Sequence, residues 1–304
     1  MIPQGTGFDG LSRLADDLVE ALSSGLETVL ASEDPDAVHD LRVATRRLQQ
    51  VLAALSPARR PKRVDRLRKA LRRVRRTLGS WRNCDVTLVT IAARARGTRS
   101  PRRRAVWKLV ATYLEQRRLE ERIRARRALL VKESHGLTDR LRGVLVELGA
   151  AAAANGARES VHARGEAAWV QWQDAYRRAH QQRDIASVHA LRIATKRLRY
   201  RLELARALGE ATAEPVLEWA RRVQQRLGDW HDHQMLQRLM AEALARPSVL
   251  LGELETVTAG VGELAREQAG APANDPAVLS QVSIEDGDCA ISAWLAGDKP
   301  AISH

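Results

Sequence analysis

Two stretches of this chain, 150 residues apart, are nearly the same. Residues 38–48 read Val-His-Asp-Leu-Arg-Val-Ala-Thr-Arg-Arg-Leu and residues 188–198 read Val-His-Ala-Leu-Arg-Ile-Ala-Thr-Lys-Arg-Leu, so eight of eleven positions are identical. Val43/Ile193 and Arg46/Lys196 are conservative exchanges. A second echo follows in the same order at an offset of 149: Leu78-Gly79-Ser80-Trp81 matches Leu227-Gly228-Asp229-Trp230, and Arg73-Val74 matches Arg222-Val223. Matched blocks in one order at nearly one distance imply a duplicated module, and the fold must be one that can be built twice.

The period of that module is helical. Apolar residues recur at three and four throughout the chain, strand-like alternation is absent, and 10 Pro and 19 Gly fall mainly at breaks. The fold class is all-α. Helices are expected over about 8–31, 35–56, 62–79, 83–96 and 101–133, then 157–182, 185–208, 213–228, 231–245 and 248–269. The first repeat spans about 8–133, a linking segment about 134–156 and the second repeat about 157–269. From residue 270 the periodicity is lost, and a poorly ordered tail is expected, with a short docked piece near Trp294.

On a helix stepping about 100° per residue, His39, Arg42, Arg46 and Gln50 fall within one stripe of about 80°. Leu41, Ala44, Leu48, Val51 and Leu55 fall opposite. The second copy repeats the division, with His189, Arg192, Lys196, Arg199 and Tyr200 on one side and Leu191, Ala194, Leu198, Leu202 and Ala205 on the other. The helix near 67–78 gathers Lys69, Arg72, Arg73 and Arg76 opposite its apolar stripe, and its counterpart keeps Arg221, Arg222 and Arg226. Like charges at helical spacing repel by ~0.2–0.5 kcal/mol per pair. A solvated face tolerates that cost but does not require the same His, Arg and Arg/Lys twice over. An anion held between the stripes does. Thr45 and Thr195, off the basic stripe, read as packing or back-bonded hydroxyls.

The charge agrees. The formal net is +13, but residues 1–150 carry 32 Lys+Arg against 17 Asp+Glu while residues 151–304 carry 18 against 20. Only six of the fifty basic residues are Lys. A guanidinium presents a planar fork that grips two phosphate oxygens at once, which favours a phosphate-rich polyanion as partner. Arginine bias of the genome is the competing explanation for the count alone. His39 and His189 either donate to such phosphates or brace their helix starts. As metal ligands they would need a partner at i+3 or i+4, where Arg42/Val43 and Arg192/Ile193 stand. His231 and His233 point about 200° apart on a helix and do not chelate together.

Other function classes lack their signatures. There is no Gly-rich phosphate loop, His-Glu-x-x-His, nucleophile elbow or paired-Cys motif, and Cys84 and Cys289 are too few for a disulfide framework. No apolar run reaches ~18 residues, and residues 1–7 resemble no secretory leader, so a soluble cytoplasmic protein with no membrane partner is expected. Asp85 and Asp232 are the acids nearest the basic stripes, each read as orienting an arginine. No cofactor, no metal and no catalytic residue is expected. Nucleic acid is the second candidate ligand, although one Phe and three Tyr offer little stacking surface. A metal-dependent phosphoanhydride hydrolase is the third reading.

The 38–48 motif and its copy at 188–198 resemble the signature of the CHAD family, helical domains named for their histidine. The Leu-Gly-x-Trp blocks, followed here by Arg82-Asn83-Cys84-Asp85 and His231-Asp232-His233-Gln234, resemble its second signature, usually Leu-Gly and an Arg-Asp-x-Asp stretch. The likeness covers roughly residues 8–269. It implies two pseudo-symmetric helical bundles around a central basic pore or groove that binds inorganic polyphosphate, without catalysis, and association with polyphosphate granules. On that reading His39, Arg42, Arg46, His189, Arg192 and Lys196 form the core of the site, and Arg47, Arg72, Arg73, Arg76, Arg197, Arg199, Arg222 and Arg226 contribute further.

Overall fold

The computed structural model describes residues 6–56, 61–132, 136–154, 157–245, 258–264 and 277–297. Among these, every regular element is a helix. The order is α1 (Thr6–Ala31), α2 (Pro35–Leu55), α3 (Lys62–Thr77), α4 (Gly79–Gly97), α5 (Pro101–Lys132), α6 (Leu137–Ala154), α7 (Ala157–Gln182), α8 (Ile185–Ala207) and α9 (Ala213–Leu244), a helical stretch at 258–264, then α10 (Ala277–Ser280) and α11 (Glu285–Gly297). None of them is long and apolar enough to cross a membrane.

The two motif helices start alike. Asp34 caps α2, its carboxylate accepting from the Asp36 N–H at 2.9 Å, and Asp184 caps α8 through a reciprocal capping box with Ser187. These carboxylates satisfy N–H groups that the first turn leaves unpaired and sit favourably on the positive end of the helix dipole. Gly209, at φ +88°, turns the chain out of α8 in a conformation that costs other residues strain.

The stripes expected to be apolar are buried. Leu41, Leu48, Val51, Leu191, Leu198 and Leu202 are all inaccessible, and they join α1, α3, α6, α7 and the first half of α9 in one large core. A second, smaller core holds Cys84 and Ile91 of α4, Val106 to Leu114 of α5, and Leu236 to Ala243 of α9. Helices α4, α5 and α9 thus reach from one core into the other. Thr45 and Thr195 are fully buried, as their placement off the basic stripe implies. Thr45 Oγ1 donates to the Arg42 carbonyl, while Thr195 Oγ1 donates to the Leu191 carbonyl and accepts from Trp172 Nε1 at 2.8 Å.

One expectation needs correction and two gain detail. The segment 134–156 is a packed helix over Leu137–Ala154, with Leu137, Leu141, Leu145 and Leu148 buried at spacings of four, four and three. The expected break between 228 and 231 is absent: α9 runs unbroken through Gly228, because it has a core to serve on either side and a helical glycine costs only ~1 kcal/mol. In the first copy the same block is divided only at Leu78, which keeps helical dihedrals and passes the i−4 hydrogen bonds on. The docked piece expected near Trp294 lies within 277–297. There Trp294 is fully buried, its Nε1 donating to Glu210 Oε2 at 2.8 Å, and α11 packs on α9. Most of the helix expected at 248–269, and residues 270–276 and 298–304, lie outside the described residues.

Two close approaches fix α11. A Cβ on Gly165 would lie 2.2 Å from the Trp294 ring, and one on Gly287 would lie 2.6 Å from the Trp219 ring. Each indole therefore packs directly against a glycine, where any larger residue would collide with the ring.

Candidate functional site

Because their apolar faces are committed to the core, α2 and α8 turn their cationic faces toward a cleft of about 290 Å³. Arg42 and Arg46 enter it from α2, Arg82 from α4, Arg192 and Lys196 from α8, and His231 and Asp232 from α9. His39 stands at its mouth, largely exposed. His189 lies alongside, with its ring centroid 5.5 Å from that of His231. Four guanidinia and one lysine face one carboxylate. No Phe, Tyr or Trp lines the cleft.

Several of the cations are held rigidly. Arg42 Nη1 donates to the Arg75 carbonyl at 2.6 Å, satisfying a group that the end of α3 leaves open. Gln49 Nε2 donates to the Arg68 carbonyl, in the middle of α3, at 2.6 Å, and Gln49 Oε1 accepts from Arg75 Nη1. Arg46 Nη1 donates to Tyr200 Oη at 3.0 Å, and the Tyr200 ring carries Arg199 on its face at 4.4 Å. Arg82 reaches the Pro35 carbonyl at 3.3 Å. Arg192 differs: its Nε is buried and has no hydrogen-bond partner among the described residues. A buried, unpaired guanidinium N–H costs free energy until an acceptor arrives.

The crowding is visible in the ionisation of several of these groups. Burial, with Arg46, Arg75 and Arg82 adding, lowers Arg42 to about 10. Arg75, which stands behind the cleft, is likewise lowered to about 10 by burial and by Arg46 and Arg72. Burial first, then Arg192 and Arg46, push the Lys196 ammonium down to about 7, against an opposing pull from Asp232. His231 falls to about 4 through burial, Arg192 and His189. His39 and His189 are lowered for the same reasons, so the empty cleft holds neutral imidazoles at neutral pH. Burial raises Asp232 against the pull of Arg192.

Lys196 therefore opposes folding of the empty protein. Its folded-state value, about 7, lies below the ordinary 10.5. The unfolded chain binds the extra proton between those two values, so stability rises with pH across that window and the penalty is complete below about 7. Lys196→Met should raise the stability of the unliganded protein at pH 6–7 by on the order of 1–2 kcal/mol, seen as a Tm higher by a few degrees, and should flatten its rise toward pH 10. Thermal melts in low-phosphate buffer across pH 6–10 check this; an unchanged slope would exclude Lys196 as its source.

The remaining residues singled out from the sequence lie elsewhere. Arg47 pairs with Glu203 at 3.3 Å, on the far side of Arg46 from the cleft. Arg199 is tied to Glu203 and to Gln224 Oε1, the latter at 2.7 Å. Arg72, Arg73, Arg76, Arg197, Arg222 and Arg226 are exposed and do not line the cleft. Conversely, Arg75 and Arg82 were not singled out. On the α3 wheel Arg75 lies about 40° from buried Leu71, at the border of the apolar stripe, and that border faces α2. Arg82 opens α4 directly after the Leu-Gly-x-Trp block, which is the signal that identifies it.

Asp85 is buried and accepts from Arg118 Nε at 2.6 Å. His233 faces away from the cleft, toward Arg94 and Gln237 at 3.2 Å each. No group of three or more His, Cys, Asp or Glu among the described residues could hold a metal ion.

The family model of the CHAD domain matches residues 13–241, three-quarters of the chain and both copies of the motif. The chain belongs to the CHAD family. Its fold agrees with a solved CHAD structure, the domain from the plant Ricinus communis, at a TM-score of 0.65 and 22% sequence identity, with 99% of this chain and 95% of that one covered. No curated protein matches. In this CHAD domain the matched region supplies all the residues of the cleft, while α10 and α11 lie beyond it.

Proposed function

We propose that this CHAD domain binds inorganic polyphosphate in the cleft between α2, α4, α8 and α9, without turning it over. The carrying observation is the convergence of Arg42, Arg46, Arg82, Arg192 and Lys196 on one carboxylate, with the Arg192 Nε buried and unpaired. Successive phosphates accept bidentate, charge-assisted hydrogen bonds from the guanidinia, and released counterions add to the affinity. Phosphate also draws protons onto Lys196 and the flanking His39 and His189, so binding above pH 7 takes up protons. Membership in the CHAD family narrows the polyanion to polyphosphate and is the basis for association with polyphosphate granules.

Nucleic acid fits less well. Six of the seven tryptophans are buried, and the cleft offers bases no aromatic platform. Asp85 is buried and paired with Arg118 through Oδ1, which supports binding over hydrolysis there.

Titration calorimetry with long-chain polyphosphate at several salt concentrations tests the reading. Neutralising about six phosphates gives a log–log slope of roughly −4. Long-chain polyphosphate should displace labelled RNA at a far lower phosphate concentration than the reverse. A salt-independent affinity, preferential RNA binding, or release of phosphate in Mg²⁺ or Mn²⁺ would each overturn it.

A further inference from the structure

A second cavity, of about 300 Å³, lies between α1, α2, α8 and α9, farther along the same pair of motif helices. Its chemistry is unlike that of the cleft. Leu14, Leu18, Val51, Leu204 and Leu217 line it, and the ring of Tyr200 forms its wall toward Arg46. Polyphosphate has no apolar part to offer such a floor, and water gains little there.

The rim carries charge in a defined arrangement. Arg206 and Arg221 both pair with Glu214, at 2.8 and 3.2 Å, which holds two guanidinia at the edge of the cavity. Across from them Arg47 pairs with Glu203, which Arg199 also binds. Of the lining residues, Arg47, Arg206 and Arg221 face the single carboxylate of Glu203, leaving an excess of two positive charges above an apolar floor. Apolar pockets with a few fixed polar groups are the usual form of a small-molecule site, and this one is at the small end of their ~300–1,000 Å³ range.

From this juxtaposition we infer that the cavity is a binding site for a small amphipathic anion, with an alkyl or aryl body on the leucine floor and a carboxylate or phosphate head among Arg47, Arg206 and Arg221. Tyr200 separates this site from the cleft: its ring faces the cavity, and its hydroxyl accepts from Arg46. The two sites can be filled together.

Calorimetry on the full chain with octanoate, octyl phosphate and 1-octanol tests the assignment. Octanoate and octyl phosphate should each saturate one site, and the tighter of the two identifies the preferred head group. 1-Octanol should bind at least about tenfold more weakly, as expected for loss of one charge-assisted hydrogen bond. Gln50→Trp, at a half-buried position on the cavity wall, should abolish the heat by filling the space. Arg206→Gln with Arg221→Gln should erase the preference for the anions and keep the binding of 1-octanol. Octanoate should still bind at unit stoichiometry with long-chain polyphosphate present. Absence of saturable heat, equal affinity for 1-octanol, unchanged binding in Gln50→Trp, or displacement by polyphosphate would each overturn the assignment. Failure of polyphosphate itself to bind would count against the proposed function and leave this site standing.

Discussion

Arg46→Glu combined with Arg192→Glu should abolish polyphosphate binding while leaving the fold intact. Each reversal removes a donor to phosphate, worth ~1.5–3 kcal/mol, and adds a repelling charge. The pair should cost at least about 4 kcal/mol, or roughly a thousandfold in Kd. These two positions are chosen over Arg42 because Arg42 also closes the end of α3 through the Arg75 carbonyl. Arg46 is bonded to the Tyr200 hydroxyl, and the Arg192 Nε has no partner among the described residues to lose. Reversal also relieves repulsion around Lys196, so the Tm of the double variant should equal or exceed that of the parent. Retained affinity in a variant with a parental circular dichroism spectrum would remove the cleft from the binding site.

Trp294→Ala should be among the most destabilising single substitutions in the chain, at about 3–5 kcal/mol. The indole is fully buried, lies on Gly165, has the His162 ring centroid 4.7 Å away, and donates to buried Glu210. Its removal leaves a cavity and takes a donor from a carboxylate. Part of the loss is bounded, because once the cost exceeds the docking energy of α11 the helix leaves and the rest of the fold survives. Hydrogen exchange should then show amides of Glu285–Gly297 losing protection before those of α7 and α9. Gly165→Leu, which drives a side chain into the space of the indole, should reproduce the pattern from the other side. If either variant melts like the parent with α11 still protected, the contact is not what holds that helix.

Much of the cleft was legible because the chain writes its central motif twice. One copy of Val-His-x-Leu-Arg would have been an ordinary amphipathic stripe; two copies fixed both the apolar faces and the cations opposite them. His39, Arg42, Arg46, Arg192 and Lys196 follow from that alone. The outer arginines did not separate from the inner ones, since a wheel gives a direction and not a neighbour: Arg72, Arg73 and Arg76 point away from the apolar stripe into solvent, whereas Arg75 at its border meets α2. Helix α6 was written plainly in its leucines but overshadowed by the alanine run that follows them. The continuity of α9 was not legible, because Gly228 weakens a helix locally and the packing on either side of it is not written in the local pattern. The docking of α11 was signalled by a single tryptophan in a segment of otherwise weak pattern.

The division of the apolar interior into two cores has a mechanical consequence. Arg82 on α4 and His231 and Asp232 on α9 lie where those helices pass from one core toward the other, so the cleft occupies the junction of two separately packed bodies joined by shared struts. Without a ligand, the guanidinia of Arg42, Arg46, Arg82 and Arg192 repel one another at that junction. On the proposed function, a polyanion lying between them would act as a tie rod, and the rigidity of the domain would then follow its occupancy.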